Sequence, residues 1–419
     1  MQYKIHPPKN LSATVALPAS KSISNRALII HALSGRGDTP SHLSDCDDTE
    51  VIIDALARRP ELIDIHAAGT AMRFLTAYLS VTPDGQVHTL TGTERMKQRP
   101  IGILVDALRY LGANIEYVGQ EGYPPLRISG WPLEGGRIEV PGNISSQYIS
   151  ALLMIGPVLK RGLELHMTGG IVSRPYIDLT LWMMREYGAD ADWTDSETVT
   201  VKPQPYASTP YYIESDWSAA SYWYEMMALT DDEECHISLG GLTDGSKQGD
   251  SVVRYIFSLL GVKSRFVAGP DGQSTTVVLK RQPSFLPRLD YDFVSSPDLA
   301  QTVVVACAMR GIPFRFTGLA SLHIKETDRI QALKNELRKL GIVIHEEGRD
   351  TLYWDGERCE ATFEPIDTYD DHRMAMAFAP VCIKHPGLSI RHPHVVKKSY
   401  PEFWADLRAA GFSIEEEEL

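Results

Sequence analysis

The chain has 419 residues, 43% of them hydrophobic and 23% charged, with a formal net charge of -13; that length exceeds one ordinary core and predicts two or three globular domains rather than a disordered chain. The acidic balance, which ends in Glu415-Glu416-Glu417-Glu418, argues against a nucleic-acid binder, whose footprint is basic across a whole face. The longest apolar run, Met374 to Ile383, falls short of the roughly 18 residues a membrane span needs, and Met1-Gln2-Tyr3-Lys4-Ile5-His6-Pro7-Pro8 has no signal-peptide core, so a cytoplasmic protein with no membrane partner is expected.

The first feature in chain order is a basic leader. Lys4, Lys9, Lys21, Arg26 and Arg36 all precede the first acidic residue, Asp38. At its centre, Leu17-Pro18-Ala19-Ser20-Lys21-Ser22-Ile23-Ser24-Asn25-Arg26 runs into the apolar Ala27-Leu28-Ile29-Ile30. A helix beginning here with Ser22 or Ser24 at its cap would aim unpaired amides, Lys21 and Arg26 at an anion. Taken alone, the segment also reads as a serine-capped surface helix with solvated cations. His42, Asp45, Cys46, Asp47 and Asp48 look like a metal cluster, but Asp47-Asp48-Thr49-Glu50 opens a helix and capping explains the acids. The five cysteines (Cys46, Cys235, Cys307, Cys359, Cys382) form no Cys-x-x-Cys pair, so neither a disulfide framework nor a metal site is expected.

Beyond residue 100, helix-period segments end in glycine and pass at once into apolar-polar alternation, at Gly112, Gly188, Gly261, Gly341 and Gly411. Each predicts a left-handed C-cap leading into a strand. Their spacings are 76, 73, 80 and 70 residues, and Leu56-Ala57-Arg58 supplies a weaker sixth, so units of about 70 residues fill the chain. Within them, buried helices are expected to start at Ser22, Thr70, Ser145, Ser218, Asp298 and Asp371. The glycine-terminated helices start behind cation-bearing loops: Arg95-Met96-Lys97-Gln98-Arg99-Pro100, Ser173-Arg174-Pro175-Tyr176, Lys247-Gln248-Gly249-Asp250, Lys325-Glu326-Thr327-Asp328-Arg329 and Lys398-Ser399-Tyr400-Pro401. Strands such as Arg137-Ile138-Glu139-Val140, Val199-Thr200-Val201 and Thr276-Val277-Val278-Leu279 lie between helices. A boundary between half-chains is predicted near Tyr212-Ile213-Glu214-Ser215. Helix dipoles from both halves would then concentrate positive potential in one cleft, which predicts a multiply anionic ligand.

The strings Leu17 to Leu28, Ala68-Gly69-Thr70-Ala71-Met72-Arg73, Arg95 to Ile101, Ser145-Ser146-Gln147, Lys325 to Arg329 and Asp371-His372-Arg373-Met374-Ala375 closely resemble the signature segments of the 5-enolpyruvylshikimate-3-phosphate synthase family, in family order from residue 17 to 401. The resemblance implies the α/β, two-domain enolpyruvyl-transferase fold: six βαβαββ units, three per domain, hinged by two crossovers. Residues 1–19 plus 215–419 would form a discontinuous domain and 20–214 an inserted one. It implies transfer of the enolpyruvyl group of phosphoenolpyruvate to the 5-hydroxyl of shikimate 3-phosphate, without a cofactor, by a monomer that closes over its substrates.

By position, the resemblance implies that Lys21 contacts both substrates and that Ser22 and Arg26 hold shikimate 3-phosphate. Ser145, Ser146, Ser173, Tyr176, Ser321 and Lys325 would complete that site, with Gln147 between the two ligands. Gly69, Arg99, Arg329, Arg373 and Lys398 match phosphoenolpyruvate contacts, where arginine suits planar carboxylate and phosphate. Asp298 matches the acceptor of the 5-hydroxyl proton and Glu326 the residue that exchanges a proton with the methylene carbon, with Lys21 stabilising charge on the phosphate side. Read locally, Asp298 behind Pro297 is also a good N-cap, and Glu326 in a first helical turn complements the dipole.

Gly69 ahead of Thr70-Ala71-Met72-Arg73 resembles the class sensitive to glyphosate. The chain departs from the family pattern at Ala67, where Asn is common, at Phe74, where Pro is common, and at Ser321 and His323, which replace Asn and Arg. The sister transferase acting on UDP-N-acetylglucosamine usually has a cysteine in the loop corresponding to Thr93 to Arg99, and none is present here. A non-catalytic paralogue that binds a phosphometabolite is the other alternative; retention of Asp298, Glu326 and Lys21 argues against it.

Overall fold

The computed structural model describes residues 1–35, 39–269 and 275–418, so Arg36 and Asp38 of the basic leader lie outside the described residues. The chain forms two compact units, Ala19–Ile213 and Met1–Pro18 with Glu214–Leu419, and passes between them at residues 18–19 and 213–214.

The Ala19–Ile213 unit contains two four-stranded sheets. In spatial order they are Leu62–Asp64, Val87–Thr91, Leu126–Ser129, Asn114–Tyr117, and Gly136–Pro141, Leu163–Thr168, Thr198–Val201, Ala191–Trp193. In each sheet the first two strands are parallel and the rest antiparallel. A buried helix (Gly69–Val81 or Ser146–Ile155) joins the parallel pair, and a half-buried one (Gly102–Tyr110 or Arg174–Glu186) leads to the hairpin. This is the expected βαβαββ unit. The remaining repeat is abbreviated: helices Lys21–Ser34 and Asp47–Arg58 accompany a parallel bridge between Ser41 and Tyr212, and the chain runs on to Leu62 without a hairpin.

The unit holding both termini has two such sheets, Ser12–Ala16, His236–Gly240, Thr275–Arg281, Val262–Ala268, and Leu289–Asp292, Phe314–Thr317, Thr351–Trp354, His345–Glu347. Its third sheet is completed by the start of the chain: Gln2–His6 lies between Leu388–Arg391 and Ser413–Glu417, with Ile366 bridging Ile390 in parallel.

The five glycines expected to end helices are all left-handed, with φ of 103° at Gly112, 80° at Gly188 and Gly261, 81° at Gly341 and 92° at Gly411. A Cβ is costly in that region, which explains the glycine punctuation. The weaker sixth site uses Arg59 itself, at φ 43°, with its amide bonded to the Ala55 carbonyl.

Several helices start slightly away from the expected residues. Ser20, not Ser22 or Ser24, precedes the first helix. Asp216 rather than Ser218 caps Trp217–Leu229 by accepting from the Ala219 amide. Asp298 is not an N-cap: it sits in the single turn Pro297–Leu299 that precedes Ala300–Arg310. Glu326 lies outside the first turn of Arg329–Lys339, which Asp328 caps through the Gln331 amide. Local capping therefore accounts for neither acid. Among the described residues, no helix is long and apolar enough to cross a membrane.

Trp217 and Trp223 are fully buried in the core of the terminal unit. On the same helix, Glu225 is wholly buried, neither carboxylate oxygen has a hydrogen-bond partner among the described residues, and burial pushes its carboxyl well above the ordinary 4.5. A raised acid contributes stability that is fully present below 4.5 and lost as pH climbs from there through its folded value. Glu225→Gln is therefore expected to raise the urea midpoint at pH 8 but not at pH 4.5, with turnover retained; an equal midpoint shift at both pH values contradicts the assignment.

Candidate active site

In the Ala19–Ile213 unit Arg26 is held by neutral groups, whereas Lys21 has a carboxylate partner. Arg26 is buried; its Nε donates to Thr180 Oγ1 at 2.7 Å, Nη1 to the Ser22 carbonyl at 2.8 Å, and Nη2 to Ser150 Oγ at 3.1 Å and the Tyr176 carbonyl at 3.4 Å. Its guanidinium carbon lies 5.5 Å from the centroid of the Phe74 ring. Burial lowers its pKa to about 10, which leaves it charged at neutral pH. None of these partners is an anion, so the charge remains to be balanced. Lys21 opens the helix with Nζ 3.7 Å from Asp48 Oδ2.

Ser145 caps the helix Ser146–Ile155, accepting from the Gln147 amide, and Gln147 Nε2 donates to Thr70 Oγ1 at 3.1 Å. Gln147 is thereby tied to the start of helix Gly69–Val81. Ser173 precedes Arg174–Glu186 in the left-handed region, φ 55°, and its carbonyl accepts from the Tyr176 amide at 3.0 Å. At Gly69 a Cβ would stand 2.6 Å from Arg99 Nη1 and 3.1 Å from its Cζ, so the arginine lies against the glycine backbone. Arg73 Nη1 donates to the Gly69 carbonyl at 3.0 Å and its Nη2 to the Pro100 carbonyl at 3.4 Å. The Tyr148 hydroxyl also binds Pro100, which fixes the backbone beside Arg99.

The terminal unit carries a denser charge cluster. Arg329, 1% exposed, donates from Nε to Asp371 Oδ2 at 2.7 Å, from Nη1 to Asp298 Oδ1 at 3.1 Å and from Nη2 to Glu326 Oε2 at 3.0 Å. Arg373 Nη2 meets Asp298 Oδ2 at 3.0 Å, Lys325 Nζ lies 3.6 Å from Asp298 Oδ1, and Lys398 Nζ is 2.9 Å from Glu326 Oε1. Asp371 also caps helix His372–Phe378 through the Arg373 amide at 2.9 Å. Burial alone would raise the Asp298 carboxyl, but Arg373, Lys325 and Arg329 outweigh it and hold it well below the usual range. Ser321 occupies the 3-10 turn Ala320–Ile324, and His323 in that turn lies 2.9 Å from Asp328 and 3.3 Å from Glu346.

This arrangement can bind anions and move protons. Four cations (Lys325, Arg329, Arg373, Lys398) surround the two acids Asp298 and Glu326, which the Arg329 guanidinium bridges. Each unit is matched by known proteins. A family profile described as EPSP synthase (3-phosphoshikimate 1-carboxyvinyltransferase) matches residues 5–59 and 57–407. The chain belongs to this family.

Among curated relatives, the 3-phosphoshikimate 1-carboxyvinyltransferase of Bacteroides fragilis ATCC 25285 is 59% identical over 415 residues, covering 99% of each chain. That of Shewanella halifaxensis is 34% identical over 436 residues, covering 97% of this chain and 99% of the relative. The fold matches a structure of EPSP synthase from Acinetobacter baumannii with a TM-score of 0.76 at 21% identity, covering 99% of this chain and 100% of the other. It also matches the enolpyruvyl transferase NikO from Streptomyces tendae, TM-score 0.71 at 16% identity, covering 99% and 98%. These two likenesses establish the shared fold of the EPSP synthase family; the sequence relatives establish membership.

Sequence reasoning did not find the supporting residues of this family member. Asp48, Ser150, Thr180, Arg73 and Tyr148 hold Lys21, Arg26 and the Arg99 loop, and Asp371 holds Arg329. Asp371 and Arg73 had a visible signal, as members of the strings Asp371-His372-Arg373 and Gly69-Thr70-Ala71-Met72-Arg73, and Asp48 showed only as a helix-opening acid.

Proposed function

We propose that this chain, an EPSP synthase-family enzyme of the 1-carboxyvinyltransferase type, transfers the enolpyruvyl group of phosphoenolpyruvate to the 5-hydroxyl of shikimate 3-phosphate. The products are 5-enolpyruvylshikimate 3-phosphate and phosphate. The observation that carries the reading is 59% identity to a curated 3-phosphoshikimate 1-carboxyvinyltransferase along 99% of both chains. The charge pattern supports it, because two phosphates and a carboxylate need many fixed cations.

In this proposal Lys21, Ser22, Arg26, Ser145, Ser146, Ser173, Tyr176, Ser321 and Lys325 bind shikimate 3-phosphate. Gly69, Arg99, Arg329, Arg373 and Lys398 bind phosphoenolpyruvate, and Lys21 and Gln147 serve both. Asp298 takes the 5-hydroxyl proton as the oxygen bonds to C2, while Glu326 protonates C3. In the elimination, Glu326 takes a proton back from C3, the C2–O bond to phosphate breaks, and the proton held by Asp298 leaves with the phosphate. Without ligand, Asp298 is a weak base because Arg373, Lys325 and Arg329 depress it. Substrate anions that take up these cations raise its affinity for a proton, so binding itself prepares the base.

The test is product identity. Incubation with phosphoenolpyruvate and shikimate 3-phosphate is expected to yield the enol ether detected by mass spectrometry, and UDP-N-acetylglucosamine in place of shikimate 3-phosphate to yield none. The converse acceptor preference would assign the sister reaction.

Sensitivity to glyphosate is part of the same proposal. Gly69 leaves space beside Arg99 that a methyl group would take, since a Cβ would fall 2.6 Å from Arg99 Nη1. Gly69→Ala is expected to raise the inhibition constant more than the KM for the shorter phosphoenolpyruvate, with inhibition of the parent enzyme competitive with phosphoenolpyruvate. Full activity of the parent at millimolar glyphosate and limiting phosphoenolpyruvate contradicts sensitivity. Phe74 would then be the first residue to replace, by proline, because its buried ring lies under Arg26 on the same helix as Gly69.

A further inference from the structure

Lys325 and Glu326 lie in a short half-buried segment between the turn Ala320–Ile324 and the helix Arg329–Lys339. The start of the turn is pinned: Asp350 accepts from the Gly318 amide at 3.1 Å and the Ala320 amide at 3.2 Å, and Leu322 is fully buried. Ile324, 67% exposed, adds no apolar anchor beyond that point. His323 closes the gap. Its Nδ1 lies 2.9 Å from Asp328 Oδ2, while Asp328 Oδ1 caps the helix by accepting from the Gln331 amide at 3.0 Å. On the other side of the ring, Nε2 lies 3.3 Å from Glu346 Oε1, and Glu346 Oε2 lies 3.4 Å from Lys334 Nζ on the same helix. The His323 side chain is 8% exposed.

The Nε2 contact is close but not aligned as a hydrogen bond, and Nε2 has no other partner among the described residues, so that contact depends on charge. An ionised carboxylate only accepts, and a neutral imidazole has one N–H and one lone pair. Either neutral tautomer therefore turns a lone pair toward one of the two carboxylates, whereas the imidazolium presents an N–H to both. Burial alone would raise the Asp328 carboxyl, but His323 and the Gln331 amide outweigh it and hold it below the usual range.

We propose that His323, with both ring nitrogens protonated, is a positioning residue that clasps Asp328 and Glu346 and thereby fixes the segment bearing Ser321, Lys325 and Glu326. Loss of one ring proton leaves one contact of the two and loosens the segment. The charged groups that meet the ring are Asp328 at the helix cap and Glu346 on the strand His345–Glu347, and Lys334 meets Glu346 from the helix.

The kinetic part rests on the roles given above to Ser321, Lys325 and Glu326. Glu346→Gln uncouples the clasp from ring protonation, because the amide keeps an oxygen for Lys334 and gives a neutral Nε2 a donor. Measured from about pH 5 to 9, which brackets the charge change of histidine, kcat/KM for shikimate 3-phosphate in the parent should match Glu346→Gln at the acid end. At the alkaline end it should fall about three- to tenfold below that variant, the loss of one charge-assisted contact. Comparing the two proteins cancels the ionisation of the substrates. His323→Ala lacks the clasp at every pH and should lower kcat and raise the KM for shikimate 3-phosphate, and His323→Arg, whose donors stay charged, should restore both. Parallel pH profiles for the parent and Glu346→Gln, or a His323→Ala enzyme that equals the parent at the acid end, would overturn the proposal.

A ligand-free readout separates this from the reaction assignment. In ring 1H–15N correlation spectra, with His323 identified by its absence from His323→Arg, both nitrogens should stay protonated to a higher pH in the parent than in Glu346→Gln. Identical behaviour of the ring in the two proteins overturns the clasp. A difference between them in an enzyme that shows no transfer to shikimate 3-phosphate upholds the clasp and instead overturns the assigned reaction.

Discussion

Asp298→Asn and Glu326→Gln are each expected to lower turnover by at least about 100-fold while leaving substrate dissociation constants within a few-fold of the parent, since a positioned proton-transfer group contributes 10²–10⁴ in rate. The amides keep the shape of both side chains, and each keeps one carbonyl oxygen that can accept either from Arg329 or from its other cation, Arg373 at position 298 and Lys398 at position 326, so neither position loses all its contacts to the surrounding cations. Lys21→Met differs in kind: it removes a charge assigned to both substrates and should weaken binding and turnover together. Single-turnover measurements distinguish the two classes. Turnover within a few-fold of the parent for either acid variant contradicts the proton-transfer assignment.

Arg329→Met is expected to be among the most destabilising single substitutions in the terminal unit, at about 3–5 kcal/mol, because it leaves the fully buried Asp371 without its cationic partner and takes one cation from the half-buried Asp298 and Glu326. Asp371 suffers most: it is fully buried, and the 2.7 Å bond from Arg329 Nε is its principal charge contact. The pH dependence has a definite sign. Asp298 is depressed in the folded protein, so its contribution is present above the ordinary 3.8 and lost as pH falls through its lower folded value. The stability gap between parent and Arg329→Met in urea should therefore be full at pH 7 and narrow below about pH 4. An unchanged midpoint at pH 7 would mean that Arg329 contributes only to ligand binding.

The repeat architecture was legible because it depends on local backbone chemistry. Left-handed glycines at 112, 188, 261, 341 and 411 mark helix ends whatever surrounds them. Arg59 escaped that signal, since a non-glycine residue takes the same conformation there at φ 43°. Helix starts were legible only to within a few residues: Ser145 and Asp371 do cap their helices, whereas the hydroxyls at 22 and 24 lie inside theirs. What the sequence could not supply is pairing at a distance. Arg26 finds Ser150 and Thr180 across 124 and 154 residues, and Arg329 finds Asp371 across 42. No local pattern encodes such partners, because tertiary packing alone brings them together. The abbreviated first repeat was hidden for a similar reason: its strand is the single bridge between Ser41 and Tyr212, too short to leave an alternation.

The central claim is that this charge cluster performs enolpyruvyl transfer to shikimate 3-phosphate. Continuous measurement of inorganic phosphate tests it most directly, with phosphoenolpyruvate alone, shikimate 3-phosphate alone and the two together. Phosphate is expected only with both substrates present, one equivalent per enol ether formed, and at a rate reduced at least about 100-fold in Asp298→Asn. No phosphate above background from the parent enzyme with both substrates saturating, or equal release from phosphoenolpyruvate alone, would contradict it.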